Sequence, residues 1–357
     1  MQKKYVLYDA STSYMIMVAW ITAAFYRSEY TNILFLNTTF LENPTDIQQR
    51  LLDTSIFSKV ILIHDEKDIH VENLITQVCD TPEEIAYYHF SSYGSFYSTQ
   101  LFNFCQSHAI AIILNEEGGG TYTLYESYYD FFHTYTNGQL AWVDLDYLSE
   151  IWVFNPALYG SQSPHKLREI NFWSFISSVE KRAHFVDQLN HVFNYHDSSF
   201  SYDAILLTQN FYAYKTLSLY EQLDFYAEIL HHLKLNIAVK PHPCEAKMDY
   251  TKKGFNVIDT APSIPWEIIM LNRCLKSNTN TLVLISVLST ALYTHRSFFH
   301  RSPYGVVSIS LYKIAPEAIQ KVIGDKRFNI YYNLFNPFDE CHFPINITDL
   351  KSLLQVP

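Results

Sequence analysis

The sequence predicts an α/β protein built from two doubly wound domains that face a central cleft, and three observations favour this fold class. Short runs that are almost entirely apolar recur along the chain and are separated by stretches with helical periodicity. Such runs are typical of parallel strands that are covered on both faces. The chain has 357 residues, of which 48% are hydrophobic, so it can fill two cores. A polar, irregular stretch interrupts the pattern near the middle, and we place a linker between Leu158 and Tyr202.

The first half of the chain supplies four predicted strands and one clear helix. Lys4–Tyr8 is the first strand, and the apolar stretch Tyr14–Tyr26 is the helix after it. Asn32–Phe35 and Val60–His64 are further strands, and Ala109–Leu114, with the sequence AIAIIL, is the clearest buried strand. The order of strand, helix and strand predicts a Rossmann-like domain.

The second half repeats this alternation. Asp203–Leu207 and Asn236–Val239 are strands on either side of Thr216–Lys234, whose apolar residues are spaced four, three, four and three apart on one helical face. These three elements form a βαβ unit. Thr281–Ile285 and Val306–Ile309 are two more strands with a predicted helical segment between them. The predicted domains are therefore residues 1–180 and 200–330, and a tail, 331–357, could pack back on the first domain.

Composition excludes several classes of protein. The net charge is 25 − 36 = −11, which argues against a nucleic-acid binder because such proteins need a basic surface. The five cysteines form no CxxC pair, so neither a zinc site nor a disulfide framework is indicated. The longest early apolar run has about 12 residues, too few to cross a bilayer. We expect a cytoplasmic protein, for which peripheral association with the inner face of the membrane and oligomerisation both remain open.

Two carboxylates and three glycines follow the clearest strand. Glu116 and Glu117 precede Gly118, Gly119 and Gly120, in a chain that has only 9 glycines. Ligands of open parallel sheets bind outside the carboxyl ends of the strands, so either glutamate could act there as a general base. The alternative is a solvated turn at the start of the next element.

A histidine between two prolines follows the second strand of the second half, in the sequence Lys240-Pro241-His242-Pro243. The prolines fix φ on both sides and favour extended backbone at their neighbours. A histidine held in this way can donate to a phosphate or protonate a leaving group. The alternative is a strand exit that happens to carry a surface histidine.

Hydroxyl side chains follow the strand Thr281–Ile285. Ser286, Ser289 and Thr290 lie where we expect a helix to begin at Ser289. Ser and Thr commonly cap helices, and the same hydroxyls, with the free N–H groups of a helix start, can also hold a phosphate. No Asp-x-Asp pair beside this segment indicates a metal.

Together these segments resemble the bacterial GT-B sialyltransferases, which include the polysialyltransferases and the lipooligosaccharide sialyltransferases of glycosyltransferase families 38 and 52. Glu116-Glu117-Gly118 looks like their acidic-acidic-Gly motif, and His242-Pro243 like their HP motif. Ser286-Val287-Leu288-Ser289 is similar to their hydroxyl segment, and Ile264–Ile268, which contains Glu267, to their Pro-x-Glu segment. The resemblance extends from about Ala109 to Tyr312.

The resemblance implies an inverting transfer of sialic acid from CMP-sialic acid to a glycan, without metal or cofactor. The glycan would be a lipooligosaccharide or a capsular polysaccharide. It implies an acceptor-side first domain, with Glu116 or Glu117 as the base. It implies a second domain that binds the CMP-sugar, in which His242 assists departure of the phosphate and other residues contact the donor. These other residues are Lys240, Pro243, Ser286, Ser289, Thr290 and Glu267, and Gly118 completes the motif of the first domain.

The sequence departs from the lipooligosaccharide enzymes at one point. Those enzymes have an aspartate base after the strand that precedes the HP strand, where this chain has Gln209 and Asn210. Neither amide can be a base, which favours the glutamate pair. Two alternatives stay open: another CMP-releasing polymer transferase, such as a Kdo transferase or a CDP-glycerol glycerophosphotransferase, and a non-catalytic sugar- or nucleotide-binding protein.

Overall fold

A computed structural model describes most of the chain, as two compact units, Met1–Tyr195 and His196–Pro357. The described residues are 4–39, 41–64, 69–91, 95–123, 143–159, 166–196, 202–212, 215–233, 235–276, 282–302 and 305–354. Lys234 and Thr281, which end one predicted helix and begin one predicted strand, lie outside these ranges. Within the described ranges, none of the helices combines the length and the apolar character that crossing a membrane requires.

The first unit contains a seven-stranded parallel sheet in the spatial order β3-β2-β1-β4-β5-β6-β7. The strands β1, β2 and β3 follow one another toward one edge of the sheet, and β4 then pairs with the other side of β1. The carboxyl ends of β1 and β4 therefore form the switch point of this sheet. Its strands are β1 (Tyr5–Ala10), β2 (Thr31–Asn37), β3 (Lys59–Ile63), β4 (Ile85–Phe90), β5 (Ala111–Asn115), β6 (Glu150–Val153) and β7 (Lys166–Glu169).

Six helices lie within the described ranges of the first unit. The first is almost entirely buried because it is apolar all round, and Thr12 caps it by accepting a hydrogen bond from the backbone N–H of Met15 at 3.3 Å. The helices are α1 (Ser13–Tyr26), α2 (Pro44–Asp53), α3 (Val71–Ile75), α4 (Phe96–Ser107), α5 (Gly119–Tyr122) and α6 (Val179–Phe193).

The second unit contains a five-stranded parallel sheet in the order β12-β11-β10-β8-β9. Its switch point lies between β8 and β10. The strands are β8 (Ala204–Leu207), β9 (Ile237–Lys240), β10 (Leu282–Ser286), β11 (Val306–Ser310) and β12 (Cys341–His342). The helices are α7 (Leu219–His231), α8 (Lys247–Lys252), α9 (Trp266–Lys276), α10 (Glu317–Ile323), α11 (Asp325–Phe335) and α12 (Ile347–Leu353).

The prediction of two Rossmann-like, doubly wound units, the pair of domains that a GT-B protein has, is confirmed. Every predicted strand is present, with ends shifted by at most two residues. The predicted helix of the βαβ unit begins later, at Leu219, because Ser218 and Glu221 form a capping box there. From residue 331 the chain completes α11 and adds β12 and α12 to the second unit.

One predicted helix is wrong. After β10 the chain forms only a short 3₁₀ turn, Thr290–Leu292, followed by further turns. The segment is rich in Thr, Ser, His and aromatic residues, whose side chains compete for the backbone. Thr294 donates to the carbonyl of Ala291 at 3.1 Å, and Nδ1 of His295 lies 2.9 Å from the carbonyl of Leu292.

Candidate active site

The acidic pair lies at the carboxyl edge of the first sheet. β5 ends at Asn115, and Glu116, Glu117 and Gly118 follow before α5 begins. The side chains of the two glutamates have different surroundings, and this separates their chemistry.

Glu116 is fully buried and is held by three donors. Its Oε1 accepts from the hydroxyl of Tyr14 at 3.0 Å, and its Oε2 accepts from the hydroxyl of Tyr122 and from the backbone N–H of Phe154 at 2.9 Å. These donors come from α1, from α5 and from the residue after β6. Glu116 therefore joins three neighbouring elements to the end of β5.

Glu117 is only half-buried, so its side chain is the more accessible of the pair. Its backbone N–H donates to Oγ1 of Thr121 at 2.9 Å, which fixes the main chain beside it. The next residue, Gly118, has φ 128° and ψ −156°, a conformation that is essentially restricted to glycine. Gly119 and Gly120 are helical, so the backbone requires only the first of the three glycines.

The switch point of the first sheet holds a carboxylate that the sequence analysis missed. Asp9, 1% exposed, accepts hydrogen bonds from the hydroxyl of Tyr88 at 2.8 Å, from the backbone and hydroxyl of Ser91, and from the hydroxyl of Ser98. Burial raises the pKa of Asp9, and these hydrogen bonds oppose the rise. Asp9 fastens the end of β1 to the end of β4. A charged residue inside the apolar run YVLYDA was the available signal.

His242 lies directly after β9, at the carboxyl edge of the second sheet. Its Nδ1 accepts a hydrogen bond from the backbone N–H of Cys244 at 3.2 Å. In the neutral ring the proton is then on Nε2, which can donate to a ligand. Burial lowers the pKa of His242, the nearby charge of Glu245 raises it, and that of Lys240 lowers it. The ring is therefore neutral at pH 7, and Pro243 beside it is exposed.

Lys240, the last residue of β9, is buried at 7% exposure, and its Nζ donates to the carbonyl of Pro262 at 2.9 Å. Burial lowers its pKa to about 8, and the carboxylate of Glu267 opposes this shift. Glu267 is 2% exposed in the first turn of α9. The structure thus brings these two predicted residues within electrostatic reach of each other.

The hydroxyl segment follows β10. Ser286, the last strand residue, is fully buried, and its Oγ has no hydrogen-bond partner among the described residues. Oγ of Ser289 accepts from the backbone N–H of Ala291 at 3.3 Å, and Thr290 opens the 3₁₀ turn. Because β8 lies between β9 and β10, about 10 Å of sheet separates His242 from this segment.

Gln209 links the strand exits across the second switch point. Its side-chain Oε1 accepts from the backbone N–H of Leu288 at 2.8 Å, and the backbone N–H of Gln209 donates to the hydroxyl of Tyr226 at 3.1 Å. The side chain of Gln209, one of the two residues near the position where the resemblance led us to expect an aspartate, therefore supports the hydroxyl segment. Sequence reasoning identified the position but not this role.

Among the described residues, no group of three or more His, Cys, Asp or Glu side chains is arranged to hold a metal ion.

Carboxylates at the edge of one parallel sheet, and a histidine, a lysine and hydroxyls at the edge of another, are features of nucleotide-dependent group-transfer enzymes. The model of the alpha-2,8-polysialyltransferase (POLYST) family matches residues 5–304. The chain therefore belongs to the alpha-2,8-polysialyltransferase family. It is a glycosyltransferase, which uses a nucleotide-sugar donor and a glycan acceptor, and the predicted resemblance to sialyltransferases is confirmed.

Solved structures show more distant similarities. A Listeria monocytogenes protein assigned as a UDP-N-acetylglucosamine 2-epimerase is 12% identical, with 100% of this chain and 92% of that chain covered and a TM-score of 0.49. MurG of Acinetobacter baumannii is 9% identical over 99% of each chain, with a TM-score of 0.38. A UGT transferase from Siraitia grosvenorii in complex with UDP is 11% identical over 93% and 94%, with a TM-score of 0.41. These three scores lie below 0.5, so the fold class rests on the two sheets themselves.

No curated protein matches the chain at a significant level.

Proposed function

We propose that this protein is an inverting sialyltransferase that moves sialic acid from CMP-sialic acid to a hydroxyl of a lipooligosaccharide or capsular glycan. The family match supports sialyl transfer, and its α-2,8 description favours an acceptor that already ends in sialic acid. The observation that carries the proposal is the neutral His242 ring, whose Nδ1 accepts from a backbone N–H so that the ring proton is on Nε2 and can be donated.

Departure of CMP is the step assigned to the second unit. The bond between the anomeric carbon and the phosphate oxygen breaks, and its electron pair leaves with CMP. The developing phosphate charge needs donors that are fixed in advance. Nε2–H of His242 supplies one. Oγ of Ser286, which is buried without a partner among the described residues, fits another, and Ser289 and Thr290 add hydroxyls.

Attack by the acceptor is assigned to the first unit. A general base removes the proton of the acceptor hydroxyl as its oxygen bonds to the anomeric carbon from the face opposite CMP, which inverts the configuration. Glu117 is the better candidate because it is half-buried, whereas Glu116 already accepts three hydrogen bonds in the interior. The glycine at position 118 leaves the backbone beside the base without a side chain.

We propose that no metal ion takes part. Hydrogen bonds from the neutral His242 ring and the hydroxyls, together with the cationic form of Lys240, can stabilise the phosphate charge, which is the task that Mg²⁺ performs in other transferases.

The deciding experiment is a transfer assay with CMP-sialic acid and a panel of galactosides, sialosides and lipooligosaccharide, with EDTA present. We expect release of CMP together with formation of a sialylated product, and we expect the same yield of this product with and without EDTA. Parallel reactions contain CDP-glycerol or CMP-Kdo as the donor. Turnover with one of these and none with CMP-sialic acid would assign the protein to another polymer transferase, and CMP binding without any transfer would mark a binding protein.

The variant His242→Ala tests the role of the ring. We expect transfer to fall at least about 100-fold, the usual contribution of a positioned acid or donor. The melting temperature should change little, because a half-buried residue at a strand exit contributes little core packing. Turnover at the wild-type rate would show that His242 has no part in the reaction.

A further inference from the structure

A buried carboxylate lies behind the turn that presents His242. Glu245 is 4% exposed, and its two oxygens face different parts of the unit. Oε2 accepts from Oγ1 of Thr208 and from the backbone N–H of His242 at 2.8 Å. Oε1 accepts from Nε2 of Gln222 at 2.5 Å and from the hydroxyl of Tyr250 at 2.8 Å. Four donors from the end of β8, α7, α8 and the turn itself therefore meet at one carboxylate.

The turn is closed on itself as well. The backbone N–H of Glu245 donates to the carbonyl of His242 at 2.9 Å, and the backbone N–H of His242 also reaches Oγ1 of Thr208 at 2.9 Å. Pro243 fixes φ within the turn. With its backbone held in this way, the turn places the N–H of Cys244 against Nδ1 of the ring.

We propose that Glu245 is a positioning residue for His242: it holds the backbone of the turn so that Cys244 occupies Nδ1 and the ring keeps its Nε2–H form. This inference rests on the proposed function, in which that Nε2–H donates to the leaving phosphate. Glu245 touches neither donor nor acceptor in this scheme and acts only through the histidine.

An amide at position 245 could not replace the carboxylate. The four partners are all donors, and an ionised carboxylate offers only acceptors. In Glu245→Gln the new NH₂ group would point at a donor, leaving buried groups unpaired and the turn free to shift. A shift of about 1 Å at a reacting group is enough to cost about 100-fold in rate.

The test is a double-mutant cycle that combines Glu245→Gln with His242→Ala. We expect Glu245→Gln alone to lower kcat about 10- to 100-fold while KM for CMP-sialic acid changes about threefold or less. In the His242→Ala background the same change should cost less than about threefold, because the residue through which it acts is gone. An equal loss of kcat in both backgrounds would overturn the proposal.

A second variant and a control separate positioning from loss of stability. Thr208→Val removes the hydroxyl that joins Oε2 of Glu245 to the backbone of His242, and should show the same non-additivity even if Glu245→Gln fails to fold. Ile229→Ala opens a cavity in the same unit, at a buried α7 residue, and should lower the melting temperature while kcat stays near the wild-type value. A comparable loss of kcat in Ile229→Ala would mean that stability alone explains the effect.

The ¹⁵N chemical shifts of the His242 ring provide a readout that needs no substrate. The wild type should show the Nε2–H form, and Glu245→Gln and Thr208→Val should show a mixture of the two neutral forms. Unchanged shifts in both variants would overturn the inference. If the wild type fails to transfer sialic acid, the proposed function fails, and the ring shifts still decide the role of Glu245.

Discussion

At the scale of single residues, burial distinguishes the two neighbouring glutamates, whose chemical roles the sequence motif alone does not separate. Glu116 and Glu117 are chemically identical and adjacent, yet one is enclosed by Tyr14, Tyr122 and a backbone N–H while the other is half-exposed. A base must reach its proton, so accessibility favours Glu117.

Conversion of each glutamate to glutamine should therefore give different results. Glu117→Gln should lower kcat about 100-fold or more with an unchanged melting temperature. Glu116→Gln should lower the melting temperature by several degrees, because each buried donor left unpaired costs about 1–3 kcal/mol. Transfer kinetics and thermal unfolding of both variants check this. Loss of activity below about tenfold in both would place the base elsewhere.

The sequence identified the candidate site residues only by residue type and by their place in short motifs. It identified His242 through its flanking prolines and the acidic pair through its glycines. It could not distinguish Glu116 from Glu117, because two of the partners of Glu116 are distant in sequence, one 102 residues before it and one 38 residues after it. Glu245 was missed for the same reason, since a glutamate three residues after a histidine looks like any surface charge until its four donors are seen.

At the scale of elements, the connection from β5 to α5 depends on one backbone conformation. Gly118 has φ 128°, which a residue with a Cβ adopts only with strain. Gly118 directly follows Glu117, so its conformation sets the direction in which the chain leaves the base.

Gly118→Ala should destabilise the first unit by about 1–3 kcal/mol and reduce transfer strongly. Gly120→Ala is the matched control, because alanine is favoured over glycine in a helix by about 1 kcal/mol and residue 120 is already helical. Urea unfolding and transfer rates of the two variants give the comparison. Equal behaviour of the two would remove the argument for a special role of Gly118.

Elements were predicted well where their sequence was uniform and poorly where it was mixed. The apolar runs gave β1, β2, β3, β5 and the strands β8 to β11 of the second sheet. β4, with the sequence IAYYHF, and β7, with the half-exposed sequence KLRE, were missed because tyrosines, a histidine and charges conceal their pattern. The helix expected at Ser289 failed because hydroxyl hydrogen bonds within the segment outweighed a plausible cap.

At the scale of the whole molecule, each unit contains a deeply buried histidine that burial keeps neutral, His89 in the first unit and His295 in the second. The pKa of His89 in β4 is lowered to about 3, by burial and by the nearby charge of Arg27. Burial lowers the pKa of His295 to about 4. His89 lies between Nε of Arg27 and Oδ1 of Asn115, at 3.3 and 2.9 Å, and His295 beside the hydroxyl of Ser308 at 3.0 Å.

These histidines should make the protein acid-labile. Below pH 6.5 the unfolded chain binds a proton at each of these histidines, whereas the folded protein does not. The free energy of unfolding therefore decreases as the pH is lowered. The slope is about 1.4 kcal/mol per pH unit for each histidine until its folded pKa is reached. Urea unfolding at pH 7 and pH 5 measures this. His89→Gln and His295→Gln should each reduce the dependence, and an identical dependence in wild type and variants would contradict the assignment.

The strands at one edge of the second sheet limit how far the protein can be truncated from its C-terminal side. The family match ends at residue 304, before β11 begins at Val306, while β11 and β12 are the strands that cover the outer side of β10. A fragment trimmed to the matched region would expose the hydrogen-bonding groups of β10, the strand that ends at Ser286, as an open edge ready to pair with another chain. The region that sequence comparison recognises is thus shorter than the region that must fold, and residues 305–342, which contain β11 and β12, belong to any functional fragment.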